Sequence, residues 1–364
     1  MRRLVVLMVL GAVVAVVGCS DDVGGADGDR SSSGPSTSQP RTPQHPEVRP
    51  SSVAAFAKGI DPITRSTPER VELADGTTPW VVDTGPDDGL PVLFVGGSAT
   101  SATVVDLVSF LSSAREELGI RLISVERNGF GDTPFDPDAG YDDFARTAVG
   151  VLDAKGVDDF SIVAISGGGP YAQRVAAAVP DRLRSVHFAA AYTGTPDAGT
   201  PDAGPPKDLC RLEPQSRAAL AQGYSDDPAS WWAFGDDAIA HRIPGFLDAA
   251  VADAERALRD PRAMAHEFEL FCHPTDVDLS AVDAPAFLYY SPQDTSTPLP
   301  FADWYAQRLP HVVADRRDLT GDHDEQYRHW EQILVDLAWP DDPPTLVCGE
   351  VAPGSTSLPG LCLD

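Results

Sequence analysis

The sequence predicts an α/β fold: a mostly parallel central sheet flanked by helices on both faces, with a helical insertion. Three observations carry that prediction. Short apolar runs rich in β-branched residues alternate along the chain with longer amphipathic stretches. One such run, Ser161-Ile162-Val163-Ala164-Ile165, passes through Ser166-Gly167-Gly168-Gly169-Pro170 directly into a helix-compatible segment, residues 171–178. After a helical interruption over residues 209–279, the strand–helix rhythm resumes at residue 286.

Taken in order, residues 70–73 read as a short edge strand, and residues 80–83 as its partner after the Asp75-Gly76 turn. Residues 91–95 form an apolar strand, residues 104–118 carry a helical period, and residues 121–126 form another strand. Residues 141–155 are amphipathic, with Phe144, Ala148, Val151 and Leu152 on one face. A strand over residues 185–190 follows the helix after Ser166. Thr195-Pro196-Asp197-Ala198-Gly199 then repeats as Thr200-Pro201-Asp202-Ala203-Gly204, which reads as a duplicated loop. The helical stretch beyond it carries Trp231, Trp232, Phe234, Phe246, Phe268 and Phe271. A helical insertion between two core strands reads as a lid. Its aromatics either line an apolar pocket or form the insertion's own core. Strands over residues 286–291 and 312–319 complete the pattern.

With 364 residues, 42% hydrophobic and 8% aromatic, the chain can bury a sizeable core as one large domain with an insertion, or as two domains. Its 55 acidic and 27 basic residues give a formal net charge of −28. That balance excludes nucleic acid as a partner, because no basic excess is available to neutralise phosphates. It likewise excludes electrostatic docking on anionic lipid. Acidity on this scale keeps an exported protein soluble.

The N-terminus reads as a targeting segment. Arg2 and Arg3 precede an apolar stretch, residues 4–17, that is short for a bilayer span, and Gly18-Cys19 follows. The segment resembles a bacterial lipoprotein signal. That resemblance implies cleavage before Cys19, lipid on Cys19, and anchoring at the outer face of the cell membrane. Residues 19–52, rich in Ser, Gly, Pro and Asp, read as a disordered tether. The expected layout is a signal over 1–18, the tether over 19–52, a core over 53–193 and 284–340, the insertion over 194–283, and a tail over 341–364.

Beyond Cys19, the cysteines are Cys210, Cys272, Cys348 and Cys362, an even number suited to an oxidising compartment. Three pairings are open. The expected one joins Cys210 to Cys272 within the insertion and Cys348 to Cys362 across the tail. No Cys-x-x-Cys or His-x-x-x-His spacing near them suggests a metal, and no cofactor is expected.

The residues that carry chemistry stand at strand ends. Ser166 occupies a strand–turn–helix junction whose neighbours are small, as a nucleophile elbow requires. Asp294 follows the strand over residues 286–291, and His323 follows the strand over residues 312–319. A serine hydroxyl is a weak nucleophile at neutral pH. A histidine must take its proton and return it to the leaving group, and an acid must orient the imidazole. Among the histidines, His187 lies inside an apolar strand, His329 on the closing helix, and His241, His266 and His273 in the insertion. His311 is at the wrong end of its strand, and His45 is in the tether. Asp318, Asp322 and Asp324 stand too near His323 in sequence to reach round it readily.

With these residues in place, residues 71–338 resemble the α/β-hydrolase family, in particular its lidded serine esterases. The chain order Ser166, Asp294, His323 matches. Ala164 stands where the elbow more often has glycine. Val95-Gly96-Gly97-Ser98 stands where the family often has His-Gly, and Val95 replaces that histidine. The resemblance implies an oxyanion hole from the N–H of Gly167 and of Gly97, with Ser98 open as the alternative second donor. Glu126-Arg127-Asn128-Gly129-Phe130-Gly131-Asp132-Thr133 is similar to the family's Asp-Arg-x-Gly-x-Gly-x-Ser loop, which shapes the site. A serine at the elbow, where dehalogenases and epoxide hydrolases of this fold place an aspartate, implies acyl chemistry on a small-molecule ester. The alternatives are a thioesterase, lactonase or peptidase of the same fold, or a non-catalytic envelope binding protein.

Overall fold

The computed structural model describes residues 52–195, 204–232, 234–235, 238–273, 277–352, 355–361 and 363. The lipoprotein-like segment, Cys19, nearly all of the proposed tether and Cys362 lie outside the described residues.

Eight strands form one sheet: β1 (Glu69–Arg70), β2 (Trp80–Thr84), β3 (Leu90–Val95), β4 (Ile120–Val125), β5 (Phe160–Ile165), β6 (Leu183–Ala189), β7 (Ala286–Tyr289) and β8 (Val312–Arg316). Their spatial order is β1-β2-β4-β3-β5-β6-β7-β8. From β4 to β8 every pairing is parallel, while β2 runs antiparallel to both β1 and β4. The mostly parallel, helix-flanked sheet expected from the sequence is therefore present. The central strands read as continuous apolar runs because both faces are covered: every residue of β5 is buried. Each fully buried Ile or Val side chain contributes about 2 kcal/mol of transfer free energy.

Helices α1 (Ser112–Glu117), α2 (Tyr141–Ala154), α3 (Gly169–Ala178) and α8 (Pro300–Ala306) connect these strands, and α9 (Trp330–Ala338) follows β8. Helices α4 (Gly204–Arg211), α5 (Pro214–Asp226), α6 (Phe246–Ala257) and α7 (Pro261–Phe271) all lie between β6 and β7. Two apolar clusters fill the two faces of the sheet. One contains Phe144, Val151, Leu152, Val175 and α7's Met264 and Phe268; the other contains Val104, Phe110, Trp330 and α6's Phe246. On the second face His187 is fully buried and stacks on Phe287 at 4.5 Å, with hydrogen bonds to Ser185 and Tyr289. Burial, and next Arg316, push its pKa down to about 3, so this histidine is a neutral packing residue.

Three elements differ from the sequence reading. The stretch read as one helix over 104–118 is a 3-10 helix, Ala102–Leu111, followed by the short α1. Val104, Val105 and Val108 are β-branched, and the Ser109 hydroxyl donates to the Asp106 carbonyl at 2.7 Å. Nine of its ten residues are buried, so packing rather than propensity sets its winding. The edge strand ends at Arg70 rather than running to residue 73, because Leu73 turns into the core and its carbonyl accepts from Gly76 N at 2.9 Å. The last strand stops at Arg316, since its partner β7 ends at Tyr289. The tail adds a small parallel pair, β9 (Leu346–Val347) with β10 (Leu358–Pro359), and Leu358 packs into the second cluster.

Candidate active site

β5 delivers the chain to Ser166, which has φ +47°, a left-handed conformation that non-glycine residues rarely adopt. The surroundings enforce it. The Ser166 carbonyl accepts from Tyr192 N at 2.7 Å, just past the end of β6. The two glycines after Gly167 let neighbouring backbone come close. A Cβ on Gly168 would lie 2.5 Å from the Val95 carbonyl oxygen, and one on Gly169 would lie 1.9 Å from that of Tyr192. Any side chain there would push α3 off the sheet. Ala164, where the family pattern more often has glycine, is fully buried in β5 and pairs with Val95 and Phe188.

Ser166, His323 and Asp294 meet. The His323 Nε2 lies 2.9 Å from Ser166 Oγ, placed to accept its proton, and Nδ1 lies 2.8 Å from Asp294 Oδ2. Asp294 is 3% exposed. Its other partners fix it: Ser296 N and Thr297 N donate to Oδ1 at 2.7 and 2.8 Å, and the Thr297 hydroxyl donates to Oδ2 at 2.7 Å. The loops carrying acid and base are tied together, since Gly321 N donates to Gln293 and the Ser291 hydroxyl donates to the Gly321 carbonyl. Gly321 has φ +95°, and a Cβ there would meet the Glu325 side chain at 2.2 Å.

The electrostatics match the contacts. Burial pushes the Asp294 carboxyl up, but the facing His323 and the Thr297 hydrogen bonds outweigh it and hold the group below its ordinary value. Burial alone would lower the His323 imidazole; the Asp294 charge and hydrogen bond overcome it and leave the imidazole above its ordinary value. The acids close to His323 in sequence make no hydrogen bond to it: Asp322 accepts from Asp324 N, and Asp324 is pushed up to about 6, chiefly by burial.

Beside Ser166 runs the loop after β3. Gly97 is close enough that a Cβ on it would sit 3.1 Å from Ser166 Cβ, and Ser98 N lies 3.1 Å from the corresponding position on Gly167. Arg127, from the Glu126–Thr133 stretch, holds this loop by donating to the Gly96 carbonyl at 2.5 Å and the Gly97 carbonyl at 2.6 Å. A buried acid from the inserted helices, Asp253, also reaches it, and a second, Glu267, meets Arg127 behind it. The sequence reading passed over both. Their signal was present, since each sits on the apolar stripe of its helix: Asp253 with Ala249, Ala250 and Ala257, Glu267 with Met264 and Phe271.

Two chambers open at Ser166 and His323. An apolar one of about 530 Å³ is lined by Leu209, Leu212, Leu220, Trp231, Phe268 and Phe271, with Tyr192 at its base. A second, of about 400 Å³, presents Ser230, Trp232, Thr295, Asp324 and Gln326. A further cavity of about 470 Å³, lined by Glu126, Asn128 and His266, does not include Ser166 or His323. Cys210 at the end of α4 and Cys272 at the end of α7 form a disulfide that straps two walls of the apolar chamber together, the pairing expected from the sequence. Among the described residues, no group of three or more His, Cys, Asp or Glu is placed to hold a metal.

Comparison with solved structures identifies the fold. The esterase RhEst1 from Rhodococcus sp. ECU1013 superposes with a TM-score of 0.54 at 18% identity, covering 75% of this chain and 98% of that one. The fold is that of the α/β-hydrolases. An esterase from Thermogutta terrifontis (TM-score 0.54, 20% identity, 74% and 96% covered) and a bromoperoxidase from Bacillus anthracis (TM-score 0.54, 19% identity, 74% and 97% covered) share it. In sequence, the chain is 32% identical over 169 residues to a non-heme chloroperoxidase from Streptomyces lividans. That match covers 44% of this chain, and the chain spans 58% of that relative's length. No family model matches the chain.

Proposed function

We propose that the chain is a serine hydrolase that cleaves carboxylic esters through an acyl-enzyme. The observation that carries the proposal is the continuous hydrogen-bonded line Asp294–His323–Ser166, ending on a serine held at φ +47°. Ser166 Oγ attacks the ester carbonyl carbon while His323 Nε2 takes its proton. The oxyanion that forms is stabilised by the N–H of Gly167 and by one N–H from the Gly97–Ser98 turn, each donor being worth about 3 kcal/mol. As the C–O bond to the alcohol breaks, His323 returns the proton to the departing oxygen. Water then enters and attacks the acyl carbon while giving a proton to His323; the C–O bond to Ser166 breaks, His323 returns that proton to Ser166 Oγ, and the acid leaves. The apolar chamber suits a bulky hydrocarbon part of the substrate, and helices α4–α7 act as the lid that supplies its walls.

A fluorophosphonate probe tests this on the intact protein. The expected result is a single adduct, mapped by mass spectrometry to Ser166 in folded protein and absent after heat denaturation. Folded protein that forms no adduct would sink the hydrolase reading and favour the non-catalytic binding reading. We further propose, from Arg2, Arg3, the apolar stretch and Gly18-Cys19, that the protein is exported and lipid-anchored through Cys19 at the outer face of the cell membrane. In cells fed labelled palmitate, label should enter the wild type and not Cys19→Ala; equal labelling of both would refute the anchor.

A further inference from the structure

The loop that faces Ser166, residues 96–103, leaves β3, runs into the first residues of the 3-10 helix and is strained. Ala99 within it has φ +56° and is fully buried. Such a backbone persists only where its surroundings over-determine it. Arg127 supplies part of that hold from the core. The rest comes from two buried carboxylates on the inserted helices. Asp253, on α6 and 3% exposed, accepts from the Ser101 hydroxyl at 2.6 Å, from Ser101 N at 3.3 Å and from the Thr103 hydroxyl at 2.7 Å. Glu267, on α7 and 1% exposed, lies 3.2 Å from Arg127 Nε and accepts from the Tyr171 hydroxyl at 3.3 Å. Arg127 in turn grips the Gly96 and Gly97 carbonyls with its other two nitrogens.

Carboxylates this deeply buried are costly, and removing a partner from such a group is more costly still. An apolar residue at either position would continue its helix's buried stripe and close the same packing. Asp253 instead spends its acceptors directly on this eight-residue loop, while Glu267 meets Arg127 and Tyr171, and Arg127 holds the loop's other end. A donor fixed within a fraction of an ångström of a developing oxyanion contributes far more than one left free to drift, because its alignment costs nothing during the reaction.

We propose that Asp253 and Glu267 are positioning residues for the oxyanion hole, through which the inserted helices fix the Gly97–Ser98 turn against Ser166. This rests on the hydrolase reading above. Neither residue touches the substrate; each acts through the loop. Their effect therefore falls on the transition state and leaves substrate binding in the apolar chamber nearly alone.

The test compares the wild type with Asp253→Asn and Glu267→Gln in p-nitrophenyl hexanoate turnover and in affinity for an alkyl boronic acid, which forms a tetrahedral adduct on an activated serine. Thermal unfolding is monitored alongside. Each variant should lose about 10- to 100-fold in kcat with KM within about twofold, and boronate affinity should fall by a similar factor. Glu should replace Asp253 poorly, since the site is sized to the shorter carboxylate, with hydroxyl bonds of 2.6 and 2.7 Å. If either polar variant fails to unfold cooperatively, Thr103→Val and Ser101→Ala remove single arms of the Asp253 contact and should show the same kcat-selective loss at smaller size. Folded variants that keep wild-type kcat and boronate affinity while losing only melting temperature would overturn the inference and make both acids purely structural. A rise in KM at constant kcat would also overturn it. Should the wild type itself neither turn over ester nor bind boronate, the hydrolase reading falls and this inference with it; failure confined to the variants' kinetics leaves that reading standing.

Discussion

Ser166→Ala should abolish ester turnover, with kcat falling by at least about 10⁴-fold while KM for p-nitrophenyl esters, where residual rates allow it to be read, changes little. The reasoning is local. Only the Oγ atom, the one bonded to His323, is removed, and the apolar side chains that wall the chamber stay in place. What remains is the oxyanion turn and a water that His323 could activate, a combination that leaves a small residual rate above the uncatalysed one. Alanine is tolerated at φ +47° no worse than serine, and the 2.7 Å bond from Tyr192 N to the residue 166 carbonyl is retained. Stability should therefore stay within about 1 kcal/mol of the wild type, which unfolding in urea checks. A variant that keeps more than a few per cent of the turnover would move the nucleophile away from Ser166 and leave the strained turn without a chemical purpose.

Much of this was legible because parallel strands buried on both faces have little freedom of composition. β3, β5 and β7 stand out as apolar runs, and the glycines after Ser166 announce that strand and helix must approach closely. The three side chains at strand ends could be named because this sheet gathers its C-terminal ends along one edge, even though His323 is 157 residues from Ser166 and 29 from Asp294. What escaped the sequence was decided by tertiary context. The winding of Ala102–Leu111 depends on burial on nearly every side, which no period reports. The tail's β9–β10 pair is two residues per strand and exists because Leu358 finds a hydrophobic seat and Leu361 N finds Glu331. The grip on residues 96–103 escaped for a different reason. An acid on an apolar stripe is readable as an anomaly, but its partner lies 152 residues away for Asp253 and Ser101, and nothing in the stripe says where.

Asp294→Asn should lower kcat by about 10⁴-fold and also move the pH dependence, and the second effect is the more diagnostic. His323 must be neutral to accept the Ser166 proton, so kcat/KM rises with pH as the imidazole deprotonates. In the wild type that midpoint lies above the ordinary histidine value near 6.5, because the Asp294 charge and hydrogen bond favour the protonated ring more than burial disfavours it. Asparagine removes the charge and leaves the burial, so the midpoint should shift downward, below that of the wild type. The amide also permits the wrong tautomer: an NH₂ facing Nδ1 makes that nitrogen the acceptor and puts the proton on Nε2, where it cannot take one from Ser166. The residual rate should therefore be low across the whole pH range, including the high-pH plateau where every imidazole is neutral. These two consequences separate orientation from charge. If the plateau recovered to the wild-type rate at high pH, Asp294 would act only by tuning the pKa. If the rate fell with the midpoint unmoved, the charge that raises His323 would have to come from Asp324 or Asp322, both of which lie near enough to contribute.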